Sequence, residues 1–337
     1  MDKLLQAGVF TALLLVGALA ILAFANACTP RPELEVQPAP ALPDAGETLT
    51  VMTWNLGYAA LGDDADFVAD GGDSIRASDR GRIEANLEAI TGRLRASSAD
   101  VHLLQEVAGP GFMTRGIDVR GAVFGVFEGR WSASSADVRT RLLPQPIALD
   151  HGLFAASRPA VDSARTVEIT REPERMAGII ARAYHVQLLR LSGPGRWSLI
   201  NIHLSAFDQG DVRAQQLQDV LALAQAEYAD GRRVIIGGDF NQRLADTDFP
   251  HTTTQEDLFW LRDLPEDALP QGWMLAADPA EPTVRTLERA YAPSENYTAV
   301  IDGFILSPNV ALVSVQGDDT GFAASDHQPV TVEVRAK

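Results

Sequence analysis

The chain has one cysteine, Cys28, among 337 residues, so no intrachain disulfide framework can brace it. Basic residues are also in deficit, with 28 Lys and Arg against 45 Asp and Glu and a net charge of −17. Asp2 and Lys3 cancel within the first 28 residues, so the acidity belongs to residues 29–337. Non-specific nucleic-acid binding rests on Lys and Arg neutralising phosphates. Such binding is excluded here unless a local basic groove overrides the average; otherwise the charge means only solubility. There is no internal repeat.

What is present begins with an uncharged apolar run over residues 7–25, after Lys3 and before Ala25-Asn26-Ala27-Cys28. Small residues at Ala25 and Ala27 fit an export-signal cleavage site. A cysteine directly behind them resembles the lipid-modified cysteine of bacterial lipoproteins, although those signals carry a larger aliphatic residue where Ala25 stands. The run is also long enough to span a bilayer uncleaved. A lipoprotein, an uncleaved anchor and a released protein remain open, and all three place the folded part outside the cytoplasm, in the cell envelope or beyond. Residues 29–47 are proline-rich and read as an extended tether. No second linker is seen after it, so residues 48–337 are expected to form one domain.

Within it, Ile83, Leu87, Ile90 and Leu94 have helical spacing over residues 80–97, with Ser78 or Asp79 placed as the cap. A second helix is expected over residues 211–228, with Leu217, Val220, Leu221, Ala224 and Tyr228 on one face. Short apolar runs at 49–52, 101–104, 152–156, 166–170, 179–190, 197–204, 234–236, 301–306, 310–315 and 329–334 read as strands. Residues 110–146 and 242–271 carry no clear period. Many strands with few helices predict two sheets packed face to face with helices outside.

Several of these strands stop at polar side chains. Thr53-Trp54-Asn55, Gln105-Glu106, Asn201-Ile202-His203, Gly238-Asp239-Phe240-Asn241, Ile301-Asp302-Gly303-Phe304 and Ser325-Asp326-His327 each sit at a strand tip. Carboxylate and amide oxygens suit a hard divalent cation such as Mg²⁺ or Mn²⁺. An imidazole beside them suits acid–base work or phosphate contact. Taken singly, Asn55 before Gly57 is an ordinary turn residue, and His203 is a plausible core-edge histidine. On an extended chain Asp239 and Asn241 would share a face.

These six segments, in this order, resemble the endonuclease/exonuclease/phosphatase superfamily. It groups pancreatic-type deoxyribonucleases, abasic-site endonucleases, neutral sphingomyelinases and inositol-polyphosphate 5-phosphatases. The resemblance implies an α/β fold: a four-layer αββα sandwich of two mainly antiparallel sheets with the site at one rim. It implies that Glu106 holds the divalent metal, with Asn55 and Asp326 beside it. It assigns Asp239 to the attacking water, Asn241 to the phosphoryl oxygens, and His327, held by Asp302, to the phosphoryl group. His203 matches a second histidine of the deoxyribonuclease and sphingomyelinase branches.

The expected activity is therefore Mg²⁺- or Mn²⁺-dependent hydrolysis of a phosphoester, most simply a phosphodiester, by in-line attack of water. Acidity and a membrane tether favour a phospholipid head group or small phosphodiester over duplex DNA. A secreted or tethered nuclease is the alternative, and it calls for a Lys/Arg stripe where only scattered residues such as Arg76, Arg80 and Arg82 stand. A non-catalytic binding module on the same fold ranks last, because every expected charged residue is present.

Overall fold

Side chains alternate between the two faces of a strand, and that alternation sorts this chain into layers. The computed structural model describes residues 2–27, 32–68, 71–77, 79–140, 143, 145, 147–172, 182–206, 211–265 and 267–337; in the first helix, side chains are described over 5–21. In chain order the described elements are α1 (Asp2–Ala27), β1 (Glu35–Gln37), β2 (Thr48–Asn55), α2 (Arg80–Ala96), β3 (Val101–Ala108), α3 (Val119–Val126), β4 (Trp131–Arg139), β5 (Asp150–Ser157) and β6 (Val161–Glu168). Next come β7 (His185–Leu191), β8 (Trp197–His203), α4 (Asp211–Ala229), β9 (Arg233–Asp239), β10 (Met274–Ala276), β11 (Val284–Arg285), β12 (Thr298–Ala299), β13 (Asp302–Leu306), β14 (Val310–Gly317) and β15 (Val330–Ala336).

One sheet runs β1-β4-β5-β3-β2-β15-β14 and the other β10-β13-β9-β8-β7-β6. Between them lie Leu49, Val51, Leu103, Leu199, Ile235, Phe304 and Val332. The intervening residues Met52, Trp54 and Leu104 turn outward onto Ile83, Ile90 and Leu94 of α2 and Val119 and Val123 of α3. On the far side Ile200, Ile202, Val234 and Ile236 meet Leu217, Val220 and Leu221 of α4. The four-layer αββα sandwich is thus present, but each sheet is mixed: β2 and β3 are parallel, as are β8 and β9, and the other pairs are antiparallel. Each parallel pair is joined by a helix, α2 or α4, because parallel neighbours need a long crossover. Ligand sites in such units form outside the carboxyl ends of the strands, and here Asn55, His203 and Asp239 end β2, β8 and β9.

Two local readings change. The proline-rich stretch is extended but docked rather than free: Glu35–Gln37 pairs with β4, Thr166 Oγ1 donates to the Pro32 carbonyl, and Ala45 is buried. Proline fixes an extended backbone, and a sheet edge accepts one. The weakly periodic stretch 110–146 holds α3 and β4. Asp79 caps α2 by accepting from the Arg82 amide, worth about 1 kcal/mol; Ser78 lies outside the described residues, as do Cys28 and residues 179–181 of the expected strand that begins here at His185. Among the described residues no helix is long and apolar enough to cross a membrane.

His102 is fully buried in β3, its Nε2 3.0 Å from Ser97 Oγ and its ring against Phe127. Burial, helped by Arg130 and Arg158, lowers its pKa to about 3. The unfolded chain therefore binds this proton first, near pH 6.5, and stability drains as pH falls from there towards 3. The loss is at most about 1.4 kcal/mol per pH unit. Urea midpoints measured from pH 7 to pH 4 should fall more steeply in the parent than in His102→Gln.

Candidate active site

The rim is built from the ends of strands in both sheets. His203, Asp239 and Asp302 form one row across the second sheet, each the register partner of the next. Asn55 stands opposite Gln105 in the first sheet. By strict alternation Glu106 would follow His102 and Leu104 towards the helices. An irregularity between Leu104 and Val107, with Glu106 at φ +54°, turns it to the rim instead; bulges re-aim side chains in this way. The Ser325–His327 loop is pinned to β2, where Ser325 Oγ donates to the Asn55 carbonyl and Trp54 Nε1 to the His327 carbonyl. Gly57, at φ +49°, passes so close to Asp326 that a Cβ would lie 2.6 Å from its Oδ1.

Asn55, Glu106, His203, Asp239, Asn241, Asp326 and His327 line one open cavity of about 700 Å³, mouth included. Asp302 sits behind His327, its Oδ2 2.9 Å from Nδ1. Asn55 makes two contacts: its Oδ1 accepts from the Gly57 amide, as in a turn, and its Nδ2 donates to Asp239 Oδ2 at 3.0 Å. Asn241 reaches the cavity by a different path from the expected strand alternation. It lies beyond β9 at φ +51°, its amide N–H bonds Asp239 Oδ1 at 2.8 Å, and its Nδ2 donates to the Leu204 carbonyl.

Asp239 Oδ2 lies between two imidazoles, 3.5 Å from His203 Nε2 and 3.7 Å from His327 Nε2. Their charge states differ. Burial would depress His327, but the Asp302, Asp239 and Asp326 carboxylates outweigh it and raise the ring well above its usual value. In His203, burial and the neighbouring Arg182 guanidinium lower the pKa to about 3. Arg182 Nη2 donates to His203 Nδ1 at 2.9 Å, so the ring proton sits on Nε2, which faces Asp239. Arg182 is held in turn by Asp137 Oδ2. Asp137 also faces His151 Nδ1 at 3.1 Å and lies at an irregularity in the β4–β5 pairing. Burial would raise the Asp137 carboxyl, but Arg182 and His151 bring it below the usual carboxylate range.

Two groups of side chains could hold a divalent cation. Ligand atoms of Asp239, Asp302 and His327 lie within 4.8 Å of one another, but His327 Nδ1 is spent on Asp302 and its ring is cationic. Glu106 and Asp326 fit better. Burial and then the Asp326 charge push the Glu106 carboxyl up to about 8, and burial raises Asp326. Two largely buried carboxylates, both raised by burial, form a hard-oxygen donor pair suited to a divalent cation.

The sequence motifs do not reveal Tyr58 or Arg182. Tyr58, at φ +57°, donates its hydroxyl to Glu106 Oε1 at 2.8 Å, and its ring lies tilted against that of His151. Neither has a strand-end signature; the left-handed turn begun by Gly57 is the only hint of the first.

Residues 52–327 match the model of the endonuclease/exonuclease/phosphatase family, and the chain belongs to this family of phosphoester hydrolases. No curated protein matches it in sequence. Among solved structures it resembles an endonuclease/exonuclease/phosphatase from Beutenbergia cavernae (19% identity, 86% of this chain and 72% of that one, TM-score 0.55). It also resembles TDP2 from Caenorhabditis elegans (14%, 86% and 74%, TM-score 0.55). A third is ANGEL2, described as a 2′,3′-cyclic phosphatase (14%, 91% and 99%, TM-score 0.54). At these identities the likeness shows the fold alone.

Arg182→Met frees His203 to rotate and to move its proton to Nδ1. Misplacement of a positioned group by about 1 Å costs on the order of 10²-fold in rate. The variant should lose about that much kcat on a phosphoester substrate with KM nearly unchanged, and its His203 ring nitrogen signals should show loss of the Nε2–H tautomer.

Proposed function

We propose that the protein is a divalent-cation-dependent phosphodiesterase that acts outside the cytoplasm. The observation that carries the catalytic reading is the arrangement around Asp239: a carboxylate held by two asparagines and flanked by one cationic and one neutral imidazole. Glu106 and Asp326, with the Asn55 oxygen, would hold Mg²⁺ or Mn²⁺, which when bound supplies Lewis-acid stabilisation of charge on the phosphoryl oxygens. Asp239 accepts a hydrogen bond from the attacking water and orients it in line with the scissile bond. The Nε2–H groups of His327 and His203 donate to phosphoryl oxygens as their charge grows. The second Nδ2–H of the Asn241 side chain, beside the one given to Leu204, serves the same oxygens. Each preorganised donor of this kind is worth roughly 2.7–4 kcal/mol in the transition state. Asp302 fixes the orientation of the His327 ring and keeps it charged.

The test is hydrolysis of an aryl phosphodiester with and without chelator. Activity should need added Mg²⁺ or Mn²⁺ and vanish with exhaustive chelation; full activity in chelator refutes the reading. Glu106→Gln should weaken cation binding by calorimetry, whereas His327→Ala should keep it and lose about 10²–10³-fold in kcat.

The location rests on α1. Phe10, Leu13, Leu14, Leu15, Val16 and Ile21 are all exposed on it, and an exposed apolar patch of this kind marks a contact with membrane or protein. Cys28 at its end is the attachment point for lipid, and acyl chains together anchor far better than one. Cys28→Ser should move the protein from the membrane to the soluble fraction. Unchanged retention, with residues 1–27 still present by mass spectrometry, would assign the anchoring to the helix itself.

A further inference from the structure

The polar groups of the site occupy only part of the cavity lining. The remainder includes Leu61, Phe67, Trp260, Val284, Leu287 and Ile301. These residues come from two small apolar clusters. Leu61, Ala65 and Leu287, with Phe67 and Tyr58, form one; Leu258, Trp260, Val284, Tyr297, Ala299 and Ile301 form the other. Residues 284–287 join the two, and Val284 pairs directly with His327. An apolar wall therefore begins one residue away from the proposed phosphate contact.

The backbone of that wall is already satisfied. The Arg285 amide bonds the Asp326 carbonyl, and the Thr286 amide bonds the Tyr297 carbonyl. Among the described residues, the two arginines in the lining are committed as well. Arg182 serves Asp137 and His203. Arg285, buried, spends its terminal nitrogens on the carbonyls of Gly62, Ala65, Thr286 and Arg289. A polynucleotide needs cationic groups for the phosphates flanking the scissile one; this wall offers apolar surface in their place.

We propose that the wall of Leu61, Phe67, Trp260, Val284, Leu287 and Ile301 is a subsite for an apolar group esterified to the scissile phosphate. The substrate is then an alkyl or aryl phosphodiester rather than an internucleotide bond. The inference rests on the phosphodiesterase reading for its chemistry and on the cavity lining for its specificity.

The experiment compares p-nitrophenyl phosphodiesters that share a leaving group and differ in the second ester: methyl, hexyl, phenyl and thymidine-5′. Each buried methylene is worth about threefold to fourfold in binding, so kcat/KM should rise at least tenfold from methyl to hexyl and phenyl, with the thymidine ester below both. Phe67 is only partly buried, so Phe67→Ala should fold. It should lose about fivefold to tenfold on the hexyl and phenyl esters and stay within twofold on the methyl ester. Val284→Thr, which keeps the volume and adds a hydroxyl, should move in the same direction. Equal rates across the series, or a thymidine ester that is the best substrate, overturns the subsite. Binding of methyl and phenyl phosphonates by calorimetry decides it without turnover: failure to hydrolyse any diester refutes the phosphodiesterase reading, while equal phosphonate affinities refute the subsite. A free substrate is separated from an amphiphile by comparing dihexanoyl phosphatidylcholine below its micelle concentration with long-chain phosphatidylcholine vesicles. Cleavage of the short-chain form assigns a soluble diester, and cleavage of vesicles alone assigns a bilayer source.

Discussion

The hydrogen bond from Gln105 Nε2 to Asn201 Oδ1, 2.8 Å across the gap between the sheets, is the contact on which the site depends. Gln105 precedes Glu106, and Asn201 lies two residues before His203 on the same face of β8. The bond therefore sets the spacing between the carboxylate of one sheet and the imidazole of the other. It belongs to a buried polar layer: Asn201 Nδ2 donates to Gln187 Oε1, Gln187 Nε2 to Ser135 Oγ, and Ser135 meets His185 Nε2 at 2.7 Å. Thr53 joins at the other end through Gln105. Apolar side chains between sheets can slide past one another at small cost. Buried amides cannot, because every lost partner leaves a desolvated group costing about 1–3 kcal/mol. The two halves of the rim are thus held in one register by the layer directly beneath it.

Above that layer the molecule gathers charge that burial disfavours. Asp239, Asp302 and Asp326 lie out of water, and Glu106 is largely so. Burial pushes Asp302 up to about 6, yet the bond to His327 keeps the proton of that pair on the imidazole. The Arg182–Asp137 pair is the opposite arrangement: two opposite charges satisfy each other and fix a third group, His203, as neutral. Two histidines 124 residues apart in the chain consequently face one carboxylate with different charges. Paired titratable groups driven apart by their surroundings are how one site holds both a charged donor and a neutral one at a single pH.

Much of this is legible in the sequence, and the reasons are specific. Strand tips can be read because an apolar run that stops at Asn, Glu, Asp or His is a local pattern, and six of them in order carry the fold. Asn55, His203, Asp239, Asp326 and His327 are found this way. Glu106 is found by its motif, though alternation alone would turn it to the helix layer; its place depends on a backbone irregularity that periodicity does not encode. Asp137 and Trp260 lie in the two stretches without a period. Arg182 sits before the strand that was expected to contain it. Tyr58 stands in a left-handed turn that exists only because Gly57 has no side chain to strike Asp326. Apart from Trp260, these groups share one trait: each acts through a partner distant in sequence, so no local window contains its role.

That division has a physical basis. Residues proposed to touch the reacting phosphate project from rigid supports: His203 from a strand end, Asn241 just beyond one, and His327 from a loop pinned to β2; regular hydrogen bonding in those strands leaves a periodic trace. Residues that orient them need only one good contact each and can come from any loop able to reach. Tyr58 holds Glu106, and Arg182 holds His203, from two different loops that converge behind the rim. His151 contacts both the Tyr58 ring and Asp137, so the supports of the carboxylate and of the imidazole are themselves in contact. A displacement in either loop is then felt on both sides of the cavity. Orientation at this site is a shared property of the loops behind it, while reach is a property of the strands.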